Sequence, residues 1–182
     1  MKKPGVVVGV CVSQRRTDPK ENVGKGFLQK GFGLVGDSHA GTEKEVSLLA
    51  MESIDKLCRE TGISAGPGCF AENITTEGMD LTSLPIETYL QVGEATLMVI
   101  QVGKDPSQAH TYNYQGYSIL PKEGVFCKVI ESGDVKTGDL IIVNDLNKLA
   151  CYVSSLRAKR SNLKGLLVVT LLAMTPFQCR SL

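Results

Sequence analysis

Tryptophan is absent from this 182-residue sequence, and aromatic residues make up 5% of it against 42% hydrophobic residues in all. With no large rings to fill it, the core has to be assembled from Val, Ile, Leu and Ala. A C-x-x-C pair is also missing: Cys11, Cys58, Cys69, Cys127, Cys151 and Cys179 lie far apart along the chain. That spacing argues for free thiols in a reducing, cytoplasmic setting rather than a disulfide framework. No export signal is legible, since Met1-Lys2-Lys3 leads into Pro4-Gly5 and only a short apolar stretch without an A-x-A-type cleavage site. Long hydrophobic runs are lacking too. Leu166 to Met174 is the longest, well short of the roughly 20 residues that span a bilayer, so no membrane segment is expected.

Clustered positive charge is missing from most of the chain. Residues 1–145 carry 14 cations against 19 acids, a net of −5, whereas residues 146–182 hold Lys148, Arg157, Lys159, Arg160, Lys164 and Arg180 and no acid. A body of that sign argues against nucleic-acid binding, which needs a basic footprint. The change of character divides the chain into a domain over 1–145 and a basic C-terminal extension over 146–182, whose order the sequence leaves open. The extension resembles translated intergenic repeat sequence, which makes a fortuitous addition the leading reading and a basic arm for nucleic acid or acidic membrane the alternative.

What is present in the body is short strands. Val6 to Val12 is an almost unbroken β-branched run, the pattern of a strand buried on both faces. Further strands are expected at Glu45–Leu49, Asn73–Thr76, Tyr89–Val92, Ala95–Val102, Gly124–Glu131 and Asp139–Val143, with tight turns at Gly93-Glu94 and Gly133-Asp134. Residues 13–31 read as a polar, Gly-rich loop. One helix stands out over Ala50–Thr61, where Ile54, Leu57 and Cys58 recur at helical spacing, Glu52 sits in the first turn and Gly62 is placed to stop it. Many short strands with one or two helices predict a mainly β fold built on a small closed or partly open barrel.

Two short glycine-containing motifs lie between the first strand and the helix. Gly31-Phe32-Gly33-Leu34-Val35-Gly36 matches G-x-G-x-x-G in letters only, because the residues after it do not read as a helix, and the dinucleotide motif works only where a helix N-terminus meets the phosphates. Gly36-Asp37-Ser38-His39-Ala40-Gly41 is more informative: a compact polar loop in which Asp37 is placed to accept a hydrogen bond from His39 and fix its tautomer.

Taken in order, the segments resemble a known family. Gly36–Gly41, then Glu45-Val46-Ser47-Leu48-Leu49-Ala50-x-Glu52-Ser53-Ile54, then Pro67-Gly68-x-Phe70-Ala71-Glu72-Asn73-Ile74-Thr75-Thr76-Glu77-Gly78, are similar to stand-alone bacterial MOSC proteins. So are Gln101-Val102-Gly103-Lys104, Pro121-x-Glu123-Gly124-Val125-Phe126 and Val135-Lys136-x-Gly138-Asp139, in collinear order over residues 5–143. The resemblance implies a MOSC-like barrel of the PK β-barrel type and binding of a molybdenum-pterin cofactor, with a role in cofactor or sulfur handling. It implies, too, partners among molybdenum-cofactor biosynthesis proteins or molybdoenzymes, and at the family level a link to pyridoxal phosphate. By residue type, His39, Asn73, Thr75 and Lys104 are the candidates for holding the cofactor: Lys104 for phosphate, Asn73 and Thr75 for a pterin edge, His39 for either. These polar loops are expected to converge at the mouth of the barrel.

The chain departs from the family at its thiols. Pro106 and His110 stand where such proteins carry two cysteines after the Gly-Lys pair, and Ser118 lies near the place of a third. His110 can ligate a metal but cannot form a persulfide, so a sulfur carrier would have to use Cys69. Three functions are therefore expected to compete: a molybdenum-cofactor-binding protein, a non-catalytic MOSC binding module, and a molybdenum-type reductase of N-oxygenated compounds. The sequence leaves open whether the chain is an enzyme.

Overall fold

The computed structural model describes residues 3–104 and 112–144. The β-branched run forms β1 (Gly5–Val12), and β2 (Glu21–Asn22), β3 (Lys25–Gln29), β4 (Gly33–Leu34) and β5 (Val46–Ala50) follow it. The helix α1 (Met51–Thr61) then leads to β6 (Ile74–Glu77), β7 (Tyr89–Val92) and β8 (Ala95–Val102). Next come α2 (Leu120–Glu123), β9 (Val125–Glu131), β10 (Gly133–Lys136) and β11 (Leu140–Asn144).

Seven strands close into a barrel in the order β11-β7-β8-β9-β5-β6-β1, with β1 returning to β11. The seam pairs Gly5 with Ile141 and Val6 with Leu140, and is extended where Val7 N–H donates to the Asp139 carbonyl at 2.9 Å and Gly138 N–H to the Val7 carbonyl at 2.8 Å. Closure satisfies the backbone groups that an edge strand would leave open. The chain is thus mainly β, a closed barrel with two helices. β2 caps the end of β1, and β10, β3 and β4 form a separate three-stranded sheet.

Of the barrel pairings, β5 with β6 is the parallel one. Parallel neighbours cannot be joined by a hairpin, and α1 with the segment after it makes the crossover. The helix ends as its sequence requires: Gly62 adopts φ 77° and its N–H bonds the Cys58 carbonyl at 2.9 Å. Period-two alternation splits the wall strands between two cores. Val46, Leu48, Ile74, Leu97, Val125 and Cys127 belong to the larger apolar cluster, while Leu49 and Phe126, one residue out of phase, join Ile54, Phe70, Ile119 and Leu120 in a second cluster under the helices.

Two expectations from the sequence are overturned. Residues 13–31 are not all loop, since they contain β2 and β3; Lys25, Phe27 and Gln29 of β3 are exposed and only Leu28 is buried, so the apolar signal is a single residue. Gly133-Asp134 is not a turn but the start of β10, opposite Leu28 and Phe27. Glycine is needed at 133 for close approach, because a Cβ there would lie 2.6 Å from the backbone nitrogen of Ala95. The Gly93-Glu94 turn does join β7 to β8. At Gly31–Gly36 a turn and β4 stand where a nucleotide fingerprint needs a helix.

Gly133→Ala is expected to destabilise the protein by about 1–3 kcal/mol through overpacking. Gly66→Ala, where a Cβ meets open space, should change it by less than about 0.5 kcal/mol. Urea unfolding of the two variants checks the contrast.

A cationic cavity on the barrel wall

Ser47 of β5 and Phe126 of β9 are register partners, and both point away from the barrel interior. Against them lies a cavity of about 180 Å³ lined by Arg16, His39, Lys44, Ser47, Ala71, Asn73, Lys104, Tyr112, Leu120 and Phe126. It holds three permanent cations and an imidazole, and no carboxylate. In a body with an excess of acids that is a selective placement: the lining favours an anion. Larger depressions of about 820 and 770 Å³ exist elsewhere, but each mixes lysines with Asp and Glu and so lacks that preference.

The cations arrive from separate parts of the chain. Arg16 comes from the β1–β2 loop and bonds the Ser38 carbonyl through Nε at 3.3 Å. Lys44 lies two residues before β5 and Lys104 two residues after β8. Their ammonium groups lie 4.8 and 5.4 Å from the centre of the Phe126 ring. Burial, and then the charge of Lys44, pull the Lys104 ammonium below the usual lysine range. Tyr112 closes one side by donating its hydroxyl to the Cys69 carbonyl at 2.6 Å, and burial pushes that phenol up to about 12.

His39 is held from behind. Asp37 Oδ2 accepts the His39 backbone N–H at 3.0 Å and the Lys20 ammonium at 2.7 Å, while Oδ1 accepts Ser13 N–H at 3.0 Å. The His39 Nδ1 atom lies 3.4 Å from Ser38 Oγ and 3.6 Å from Asp37 Oδ2, so the Asp37 carboxylate contributes by fixing the backbone more than the ring. The Lys20 and Asp37 side chains are each only 1% exposed. Burial by itself would raise the Asp37 pKa, but its contacts with the His39 ring and backbone and the Lys20 charge outweigh it and hold the carboxyl below its ordinary range. A second buried carboxylate, Glu72, ties down the loop carrying Ala71 and Asn73. It accepts Gly68 N–H at 2.6 Å, Phe70 N–H at 3.2 Å and the Thr75 hydroxyl at 2.7 Å, and burial pushes its pKa up. Within that loop Ala71 keeps φ 66°, a left-handed conformation that a non-glycine residue holds only when its surroundings enforce it.

Of the residues expected at a site, the fold brings His39, Asn73 and Lys104 to this one cavity. Thr75 is not among them: it is fully buried and its hydroxyl is committed to Glu72. Asn73 is largely committed as well. It is 1% exposed, its Oδ1 accepts the Ser47 N–H and hydroxyl at 3.1 and 3.0 Å, and its Nδ2 reaches the Cys11 carbonyl at 3.4 Å, leaving one N–H for a ligand. Ser118 is half-buried just ahead of α2 and does not line the cavity. Pro106 and His110 fall outside the described residues. The cavity also lies on the outer face of the β5–β9 wall, not at the barrel mouth, because the residues flanking Ser47 and Phe126 are the ones that fill the interior. Arg16, Lys44, Tyr112 and Phe126 were not among the expected site residues: Arg16, Lys44 and Tyr112 lie outside the strands and carry no local signature, and Phe126, though part of a motif, reads as an ordinary apolar strand residue.

The thiols stand apart from the cavity. Cys11 and Cys127 are buried, which pushes Cys11 up to about 12 and Cys127 higher still. Cys58 and Cys69 are half-buried, and Cys69 Sγ accepts Gly66 N–H at 3.4 Å. No cluster of three or more His, Cys, Asp or Glu suited to a metal occurs among the described residues. None of their helices is long and apolar enough to cross a membrane.

A closed barrel with its polar loops gathered over one outer wall defines the class of fold. The family model described as MOSC domain matches residues 35–142, and the chain belongs to that family. In overall structure it is similar to the YuaD protein from Bacillus subtilis, with a TM-score of 0.59, 21% identity, and coverage of 78% of this chain and 97% of that one. YiiM from Geobacillus stearothermophilus gives 0.61 at 18% identity, covering 78% and 75%, and YiiM from Escherichia coli 0.54 at 20%, covering 80% and 70%. No curated protein matches the sequence significantly.

Because the folded Asp37 carboxyl ionises at lower pH than an unfolded one, its stabilisation is full above the unfolded value of about 3.9 and is lost as pH falls below it. Asp37→Asn should therefore cost about 3–5 kcal/mol near neutral pH by stranding the Lys20 charge. The gap between variant and wild type should shrink as acid protonates the native carboxylate. Denaturant unfolding of both proteins as a function of pH checks this.

Proposed function

We propose that this MOSC-domain protein binds a molybdenum-pterin cofactor, with the cavity on the β5–β9 wall receiving its phosphate-bearing end. The observation that carries the reading is the lining itself, Arg16, His39, Lys44 and Lys104 without a carboxylate. Family membership supplies the expectation of the cofactor. The fit is partial in a defined way. At about 180 Å³ the cavity is smaller than the roughly 300–1,000 Å³ of a site that encloses a whole ligand, so it suits a phosphate group with the part of the ligand next to it. Lys44, Lys104 and Arg16 would hold the phosphate by charge, and the remaining Asn73 N–H and the His39 ring would meet polar edges. A bound molybdenum centre would supply redox chemistry.

Sulfur carriage is the part of the family's repertoire that this lining does not support. A persulfide needs an accessible, activated cysteine, and none of the four described thiols opens on the cavity. That observation favours, as second reading, a binding module that holds the cofactor, or another phosphorylated ligand, without catalysis.

Protein purified from a host that makes the molybdenum cofactor is expected to retain pterin, measured by fluorescence after oxidation, and molybdenum, measured by mass spectrometry. Replacing both lysines in Lys44→Ala/Lys104→Ala should weaken retention by roughly tenfold or more, the loss expected of charge-assisted contacts worth about 1.5–3 kcal/mol each. A wild-type protein carrying neither pterin nor metal would overturn the assignment. Cyanide-labile sulfur should be absent from the wild type; finding it, and losing it in Cys69→Ala, would restore a sulfur-carrying role.

A further inference from the structure

The two lysines of the cavity share one neighbour. Both ammonium groups face the ring of Phe126, at 4.8 and 5.4 Å from its centre, and among the described residues neither forms a salt bridge with a carboxylate. Two like charges in one partly buried space repel, and nothing of opposite charge in the lining offsets them. The ring does so in part, because its negative face attracts a cation within about 6 Å of the centroid. Phe126 is itself fixed, 4% exposed on β9 within the cluster formed with Leu49, Ile54, Phe70, Ile119 and Leu120. A rigid ring therefore sets where two long, flexible side chains end. Since both lysines line the same cavity of about 180 Å³, an anion that fills it meets both.

We propose that Phe126 is a positioning residue that holds the Lys44 and Lys104 ammonium groups together at the cavity, and that the pair makes the site selective for a doubly charged oxyanion, of the phosphomonoester or sulfate kind, over a singly charged one. A monoanion neutralises one ammonium and leaves the repulsion of the other; a dianion neutralises both. The inference rests on reading the cavity as an anion site and adds which charge state it takes and which uncharged residue enforces that choice.

The test uses the full chain, with sulfate as dianion and nitrate as monoanion at one pH, affinities measured by calorimetry and the lysine ammonium groups followed by NMR. Wild type should prefer sulfate by roughly tenfold or more, as one additional charge contact requires. Phe126→Leu keeps an apolar side chain but removes the ring face, so the preference should fall to about twofold and the ring-induced shifts of both lysines should vanish. Phe126→Tyr keeps the ring and should stay within about twofold of wild type. Lys44→Met leaves the core untouched and should also abolish the preference, which keeps the proposal testable if Phe126→Leu fails to fold. A folded Phe126→Leu with unchanged selectivity would overturn the role of the ring while leaving the cofactor reading intact. A wild type that binds neither anion would remove the anion site itself, and the cofactor reading with it.

Discussion

Across the β5–β9 ladder, where Ser47 sits opposite Phe126, a single strand pairing serves both the core and the site. Side chains on a strand alternate between faces. Once Val46, Leu48, Val125 and Cys127 are committed to the barrel interior, Ser47 and Phe126 must face outward. A slip of one residue in this register would exchange the two sets, placing a hydroxyl inside the barrel and valines on the wall of the cavity. Fold and site are therefore not separable at this ladder. The same hydrophobic burial that closes the barrel sets the position of the aromatic ring that two lysines approach.

The outer wall is polar, and that raises a cost the structure meets with buried charge. A lysine and an aspartate placed out of water are expensive unless each finds a partner. Lys20 and Asp37 do so at 2.7 Å, and the carboxylate then uses its remaining acceptor capacity on the backbone of Ser13 and His39. Glu72 does similar work for the loop behind the cavity, collecting two backbone N–H groups and the Thr75 hydroxyl. Neither carboxylate lines the cavity itself. Acidic groups are thus spent on holding loops from behind, and the surface that a ligand would meet is left with cations.

How much of this was legible in the sequence depends on how local each signal is. β1, β7, β8 and α1 were readable because a β-branched run, a Gly-Glu turn and a helical spacing ending in glycine are all written within a few neighbouring residues. β3 and β10 were not, because each buries so little that their strand character comes from pairing with the other, more than 100 residues apart in the register of Asp134 with Phe27. The site divides in the same way. His39, Asn73 and Lys104 were found through motifs, yet Thr75, from the same motif as Asn73, turned out to face Glu72. Arg16 and Lys44 are single cations on loops, and no periodicity distinguishes them from solvated charge.

The departure from the family's thiol pattern acquires a physical meaning on this wall. A site that passes sulfur must expose a thiolate beside its ligand, and cationic surroundings would favour that thiolate. Here the cationic surroundings are present but none of the described thiols shares them: Cys11 and Cys127 are driven toward the protonated form by burial, and Cys69 presents its carbonyl, not its sulfur, to Tyr112. Electrostatics suited to holding an anion therefore stand without the nucleophile that would act on it. Binding and sulfur chemistry are physically independent requirements, and the cationic lining proposed as an anion site answers only to the first of them.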